Sequence, residues 1–154
     1  VGEAVMAADR LLETAKAQAD AQVSERNARE KAELMRQLGM DEGESATKAS
    51  RTMIRQLEED QKRRSKRALT DAIDRALIDL LAIYRDVLMV QVGGDGELIN
   101  TDLADLVHEI AQDSTPRQTL ARVDHIETAR KRLVSNGNPL LVLEDMAISL
   151  RPQA

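Results

Sequence analysis

Long stretches without glycine or proline are the feature that most limits what this chain can fold into. Residues 3–38 and 45–92 contain neither residue type, and the whole chain has only 7 Gly and 3 Pro in 154 residues. Because Ala, Leu, Glu, Arg and Gln favour helices, these stretches predict two long helices, the first closing at Gly39 and the second near Val92. The segment 39–45 between them is predicted to be a polar turn. We therefore expect an all-α fold.

The last third of the chain carries start and stop signals for three shorter helices. Thr101 is expected to cap a helix over residues 102–113. Residues 115–118, TPRQ, have the capping-box pattern that starts a fourth helix, with proline at its first position. We expect this helix to end at Asn136-Gly137. Asn138-Pro139 should then open a fifth helix, which is apolar on most sides and is predicted to be deeply buried. The predicted architecture is a bundle of about five helices with a long antiparallel helical arm.

The composition excludes several classes of function. The net charge is −5 and the isoelectric point is near 5.1, which argues against a dedicated nucleic-acid-binding domain. There is no cysteine, so disulfides and thiolate metal sites are excluded, and a cytoplasmic location is expected. No apolar run approaches the roughly 20 residues needed to span a bilayer, so we expect no membrane contact. Phe and Trp are absent, and the core must therefore consist of aliphatic side chains.

The single aromatic residue, Tyr84, is followed by Arg85 and Asp86, a combination that could belong to an active site. We placed the side chains of residues 71–92 around a helix axis at roughly 100° per residue. Tyr84 falls in a wide apolar arc, whereas Arg85 and Asp86 fall among the charged residues on the other side. We therefore predict that Tyr84 lies in the core, that Arg85 and Asp86 face solvent, and that the three form no catalytic group.

A narrow apolar seam crosses the charged side of the same helix. Ile78, Ala82 and Met89 lie close together there, with Arg85 at the edge. A seam of this kind is what a helix presents to another helix. Either the fifth helix of the same chain covers it, or it contacts a partner subunit. Ile78, Ala82, Arg85 and Met89 are accordingly our candidate subunit interface.

The basic half of residues 58–67, EEDQKRRSKR, is open to a nucleic-acid-binding interpretation. The segment also contains acidic residues four positions before basic ones, the favourable order for ion pairs along a helix. The three predicted pairs are Glu58 with Lys62, Glu59 with Arg63, and Asp60 with Arg64. Since no aromatic residue is present to stack on bases, we interpret the segment as a solvated helix that makes no direct nucleic-acid contact.

The remaining candidate sites give no catalytic, cofactor-binding or metal-binding residues. His108 and His125 are single histidines on different predicted helices, without a second ligand nearby in sequence. The acidic and glycine-rich segment 93–102 lacks the spacing of a calcium loop. No phosphate-binding GxxxxGK[ST] sequence and no GxSxG sequence occurs. From its residues alone, this chain is predicted not to be an enzyme and to need no cofactor.

Two segments, 66–93 and 114–151, resemble a known family in the order and spacing of three motifs. These are YRDVL at 84–88, RKRL at 130–133, and the run from Asn136 to Glu144 that precedes the last apolar helix. The chain is similar in these motifs to the C-terminal domain of the delta-prime subunit of the bacterial DNA polymerase III clamp loader.

The resemblance implies a concrete role. In that family a AAA+ module with a zinc-binding insert precedes a helical domain, and this domain joins those of the delta and gamma/tau subunits in a circular collar. The resulting pentamer opens the sliding clamp and places it on primed DNA. This chain is then expected to be a fragment without the AAA+ module, taken from a component of the polymerase III holoenzyme, a nucleotidyltransferase. Residues 67–151 would form the collar-like core, and residues 16–66 a charged hairpin arm like the longer form in actinobacterial relatives.

Two alternatives remain open at the level of sequence. One is the collar domain of the gamma/tau subunit, which shares the fold, although gamma/tau continues beyond its collar domain whereas this sequence stops at Ala154. The other is an unrelated helical adaptor or signalling module that homodimerises through its charged arm.

Overall fold

The computed structural model describes residues 2–39 and 47–151, and the described residues form helices and connecting turns without a strand. The predicted all-α fold is confirmed. The helices are α1 (Gly2–Gln37), α2 (Lys48–Gln91), a 3-10 helix (Thr101–Leu103), α3 (Ala104–Gln112), α4 (Pro116–Val134) and α5 (Pro139–Ser149). Most of the predicted turn between α1 and α2 lies outside the described residues. Within them, no helix combines the length and apolar character required to cross a membrane.

The chain divides into two compact units. The first, Thr14–Ala72, contains the second part of α1 and the first part of α2 and is called the arm unit here. The second contains the residues up to Glu13 together with those from Ile73 onward and is called the core unit.

The two helices of the arm unit pack antiparallel over a core of small side chains. Ala19, Val23 and Ala68 are buried there, with Leu69 packed against them. Later residues of α1 contact earlier residues of α2, as the bond of 2.8 Å between Lys31 Nζ and Glu58 Oε1 shows. Small residues allow a close approach of the helices but bury little apolar area for each residue.

Polar contacts between α1 and α2 replace part of the predicted pairing within α2. Arg64 Nη1 donates to Asn27 Oδ1 and to Glu30 Oε2, both at 2.8 Å. Gln61 Nε2 donates to the carbonyl oxygen of Asn27 at 2.8 Å. The predicted interaction of Glu59 with Arg63 is present at 4.0 Å.

The predictions for Glu58 with Lys62 and for Asp60 with Arg64 are wrong, because Glu58 and Arg64 bind residues of α1 instead. An antiparallel neighbour provides partners that the spacing within a single helix does not reveal.

Glycines end both long helices, as predicted. Gly39 and Gly93 have positive φ angles of 63° and 67°, which glycine adopts without a steric cost. After α2, the N–H of Gly94 donates to the carbonyl oxygen of Met89 at 3.0 Å and closes the last turn.

Asparagine takes the same left-handed position after α4. Asn136 has a φ of 64°, and the N–H of Gly137 donates to the carbonyl oxygen of Arg132 at 2.8 Å. A Cβ atom at Gly137 would lie 2.8 Å from that oxygen, so glycine is required by close approach. Asn138 then caps α5 by accepting from the N–H of Leu141. The predicted end of α4 and the predicted start of α5 are confirmed.

The start of α4 is also confirmed, but the start of α3 is not. Thr115 Oγ1 accepts from the N–H of Gln118, and Gln118 Oε1 accepts from the N–H of Thr115, which completes the capping box. Thr101, in contrast, begins the 3-10 helix, and α3 starts at Ala104 without a side-chain cap. The predicted capping role of Thr101 is wrong.

The core unit is built on aliphatic residues from α2 to α5. Its fully buried aliphatic side chains are Ile73, Leu77, Val87, Val107, Ile126 and Leu143. Helix α5 packs on α4, but it is less buried than its sequence predicts, because Leu141 is 63% exposed and Ile148 is exposed as well. These two residues are seven positions apart and lie on one face of the helix. One face of α5 therefore remains uncovered by the described residues.

Candidate subunit interface

Tyr84 lies in the core, as predicted, and its side chain is separate from those of Arg85 and Asp86, which follow it in the sequence. Its side chain is buried beside Arg122 of α4. Burial raises the pKa of the Tyr84 hydroxyl, and the positive charge of Arg122 offsets only part of this effect. A neutral hydroxyl in an aliphatic environment fits a core residue.

Asp86 is fully buried, and the prediction that it faces solvent is wrong. Its Oδ1 accepts from the N–H of Ile99 at 3.0 Å, and its Oδ2 accepts from the N–H of Asn100 at 2.8 Å and from Asn100 Nδ2 at 2.9 Å. Arg85 Nη1 donates to Oδ1 at 2.7 Å. A helical wheel gives the direction of this side chain correctly but contains no information about a loop that folds back over it.

The hydrogen bonds keep the Asp86 carboxylate ionised inside the protein. Burial alone would raise its pKa, but the bonds from Asn100, Ile99 and Arg85 outweigh burial and hold the pKa well below the usual range for aspartate. Asp86 therefore fixes the segment after α2 as a charged acceptor of backbone N–H groups.

Arg85 extends this connection to the glycine-rich loop 93–97. The Nη1 atom that binds Asp86 also donates to the carbonyl oxygen of Glu97 at 3.1 Å. The side chain of Arg85 keeps 44% of its surface exposed, so the guanidinium lies at the protein surface while one edge holds the loop.

The four candidate interface residues lie on one stripe of α2 but differ in their surroundings. Ile78 is 45% exposed, and Ala82 and Met89 are half-buried. The Cε atom of Met89 lies 2.7 Å from where a Cβ would stand on Gly94 and 2.5 Å from where one would stand on Gly96. The glycine-rich loop thus covers the Met89 end of the stripe, whereas the Ile78 end remains open.

Two of the cavities are each lined entirely by described residues of a single unit. A groove of about 780 Å³ in the arm unit is lined in part by Leu34, Met53 and Leu57. A smaller cavity of about 190 Å³ in the core unit is lined by Arg117, Arg122 and Arg151, among others. Sequence reasoning missed this basic cavity, because its residues come from the start of α4 and the end of α5.

The single histidines are not brought together. His108 Nδ1 lies 2.7 Å from the carbonyl oxygen of Ala104 on its own helix, and His125 lines the basic cavity. Across residues 2–39 and 47–151, no group of three or more His, Asp or Glu side chains is arranged to hold a metal ion.

Comparison with known proteins gives a family for this chain. The family described as DNA polymerase III, delta subunit, C terminal matches residues 44–151. One curated relative, the DNA polymerase III subunit delta' of Bacillus subtilis (strain 168), is 36% identical over 72 residues. That alignment covers 47% of this chain and 22% of the relative, so this chain spans much less than half of the relative's length. No solved structure matches the chain significantly.

The family match covers well over half of the chain. It includes both segments that carry the resemblance, 66–93 and 114–151. The matched domain is a non-catalytic part of a clamp loader, in agreement with the prediction that this chain is not itself an enzyme. The chain therefore belongs to the family of C-terminal domains of the DNA polymerase III delta subunit, and its resemblance to the delta-prime C-terminal domain is confirmed.

Proposed function

We propose that this chain is the collar domain of a clamp-loader delta-prime subunit and holds that subunit in the pentamer that loads the sliding clamp. The observation that carries the proposal is the family match over residues 44–151, which contains α2 and its exposed Ile78. The proposed partners are the gamma/tau and delta subunits, and the proposed location is the cytoplasm. In this proposal, a AAA+ module belongs to the full-length protein.

The proposed contact is the open end of the stripe on α2. Ile78 and Ala82 would pack against an apolar ridge of a partner helix, and the exposed part of Arg85 would bind a carboxylate at the edge. The charged residues around the stripe favour a partner with complementary charges. The arm unit has no assigned task in this proposal.

The loop 93–97 sets one limit of this surface. Since Arg85 binds the carbonyl oxygen of Glu97 and Met89 packs under the glycines, a partner helix would reach Met89 only along the edge of the loop. Ile78 and Ala82 are therefore expected to contribute more to binding than Met89.

The test is a set of aspartate substitutions, each melted alone and then used to capture the gamma/tau and delta collar domains. Ile78→Asp is expected to leave the isolated chain nearly unchanged, because the residue is already half-exposed, and to weaken assembly about a hundredfold or more, because the interface would bury an unpaired carboxylate. Met53→Asp is the matched control, since Met53 is similarly exposed (51%) but lies in the arm unit. Leu77→Asp is the core control and is expected to unfold the chain.

The pattern of melting and capture decides between the possibilities. If Ile78→Asp melts as low as Leu77→Asp, the stripe is internal packing. If Ile78→Asp assembles as well as Met53→Asp, the partner surface lies elsewhere. Self-association of the wild-type chain without binding to either collar would favour the adaptor alternative.

A further inference from the structure

Arg122 is a mostly buried arginine whose charge has no acidic partner among the described residues. Its side chain lies in α4 and the residue is only 8% exposed. Its side chain forms no ion pair within 4.0 Å with a described residue, but its nitrogen atoms are not among the buried described atoms that lack a hydrogen-bond partner, so the guanidinium keeps contact with solvent. A guanidinium stays protonated in proteins, so Arg122 carries a fixed positive charge. This charge is not balanced by an ion pair and is in contact with solvent, so an anion from outside the described residues can reach it.

The surroundings of Arg122 are positively charged. The basic cavity is lined by Arg117, Gln118, Ala121, Arg122 and His125 of α4 and by Ser149 and Arg151 at the end of α5. None of these lining residues is acidic. In a chain whose net charge is −5, three arginines around one cavity form a local positive site that attracts anions.

The acidic side chains that line the neighbouring cavities form no ion pair with this site. Glu109 and Asp113 line a separate cavity on the side of Arg122 that faces Tyr84, and neither forms an ion pair with Arg122. Farther along the groove between α4 and α5, the carboxylate of Asp145 is already bound to Arg132. The cations of the basic cavity therefore remain available to a ligand.

The size of the cavity indicates the size of the ligand. Its volume of about 190 Å³ is below the roughly 300 Å³ at which cavities for drug-sized ligands begin. A nucleotide is too large, whereas a single carboxylate or phosphate group fits. The guanidinium group presents paired N–H donors that match two oxygens of such a group.

We propose that the basic cavity between α4 and α5 binds a small oxyanion, a carboxylate or phosphate group, with Arg122 as the central ligand and Arg117 and Arg151 at its mouth. Gln118 adds a donor, because its side-chain oxygen already accepts from Thr115 and leaves its amide nitrogen available. The oxyanion is either a free ion or an acidic group of another chain.

The test measures thermal melting and calorimetric titration of the 154-residue chain with sodium phosphate and with sodium acetate. Sodium chloride at equal ionic strength separates specific binding from screening. At an anion concentration about ten times the Kd, the Tm is expected to rise by a few degrees, roughly 2–5 °C, above that in chloride. Arg122→Gln is expected to weaken binding about tenfold or more.

A double variant and a control variant test the proposal independently of how well Arg122→Gln folds. The double variant Arg117→Gln/Arg151→Gln changes only the mouth of the cavity and is expected to weaken binding to a similar extent. Arg67→Gln removes the same charge from an exposed position in the arm unit and is expected to bind as the wild type does.

The outcome separates the two sources of the oxyanion. Stronger stabilisation by acetate supports a carboxylate presented by another chain, and stronger stabilisation by phosphate supports a free phosphate or a phosphoryl group. The proposal is overturned if neither anion stabilises the chain beyond chloride, or if the double variant binds as tightly as Arg67→Gln.

Discussion

Asp86 shows how one buried carboxylate organises the surface next to it. Its two oxygens accept from the backbone of Ile99 and Asn100, and its bond to Arg85 aligns a guanidinium that also holds Glu97. The loop after α2 is therefore tied to the helix at two points. Through this arrangement, the Arg85-Asp86 pair that first suggested an active site stabilises the edge of the proposed interface.

Removing the Asp86 side chain is expected to release this loop. Asp86→Ala leaves the N–H groups of Ile99 and Asn100 without their acceptor and should lower the free energy of unfolding by roughly 1–3 kcal/mol. Asp79→Ala is the matched control on the exposed side of the same helix, with an expected change of about 0.5 kcal/mol or less. Chemical denaturation of both variants measures the difference. Equal stability of the two variants would mean that the loop bonds contribute nothing.

The same carboxylate should make stability depend on pH in the acidic range. The pKa of Asp86 is depressed in the folded chain, so its contribution is complete above the unfolded value of about 3.9 and is lost as the pH falls toward the folded value. Glu30 acts in the same direction in the arm unit, because its bonds to Arg64 and Arg26 lower its pKa to about 2. Stability should therefore decrease between about pH 5 and pH 2.

Denaturation series in this range, recorded for Asp86→Asn and Glu30→Gln, separate the two contributions. Each variant is expected to lose part of the acid sensitivity. If the free energy of unfolding of Asp86→Asn depends on pH as steeply as that of the wild type, the ionised Asp86 carboxylate does not have the role assigned to it.

At the scale of the helices, local signals and neighbour contacts account for different parts of the arm unit. The end of α1 follows from Gly39, a signal within the sequence. The position of α2 against α1 depends on the small residues Ala19 and Ala68, which let the backbones come close. A larger side chain at either position would separate the helices.

Ala19→Leu tests this packing. A leucine at this buried position overfills the contact and is expected to destabilise the arm unit by roughly 1–3 kcal/mol. Ala21→Leu places the same side chain on an exposed position of the same helix, where leucine is a good helix former and little change is expected. Hydrogen exchange of the α1 amides in the two variants gives the comparison, and equal protection would contradict close packing at Ala19.

The sequence predicted the elements better than their contacts. The capping box at Thr115 and the helix ends near Val92 and at Asn136-Gly137 are local features, and each was located correctly. The burial of Asp86 was missed because it depends on a loop returning from 13 and 14 residues farther along the chain. The pairing of Glu58 with Lys31 was missed for the same reason, since its partner lies 27 residues away on another helix.

At the scale of the whole molecule, the described residues expose large apolar side chains on each of the helices α1 to α5. A subunit within a ring has two neighbours, and contacts of this head-to-tail kind require two different surfaces on each subunit. Among the exposed apolar surfaces of the core unit, we consider two that lie on different helices. One is Ile78 on α2, and the other is the face of α5 that carries Leu141 and Ile148.

We predict that these two surfaces bind different neighbours in the proposed collar. Ile78→Asp should abolish binding to one of the gamma/tau and delta collar domains and spare the other, and Leu141→Asp should show the opposite preference. Both residues are already exposed, so the free energy of unfolding of each variant alone should lie within about 0.5 kcal/mol of the wild-type value. The same holds for Met53→Asp. Binary titrations of each variant with each partner measure the preference. Loss of the same partner in both variants would mean that α2 and α5 form one surface, and the second neighbour would then have to bind outside them.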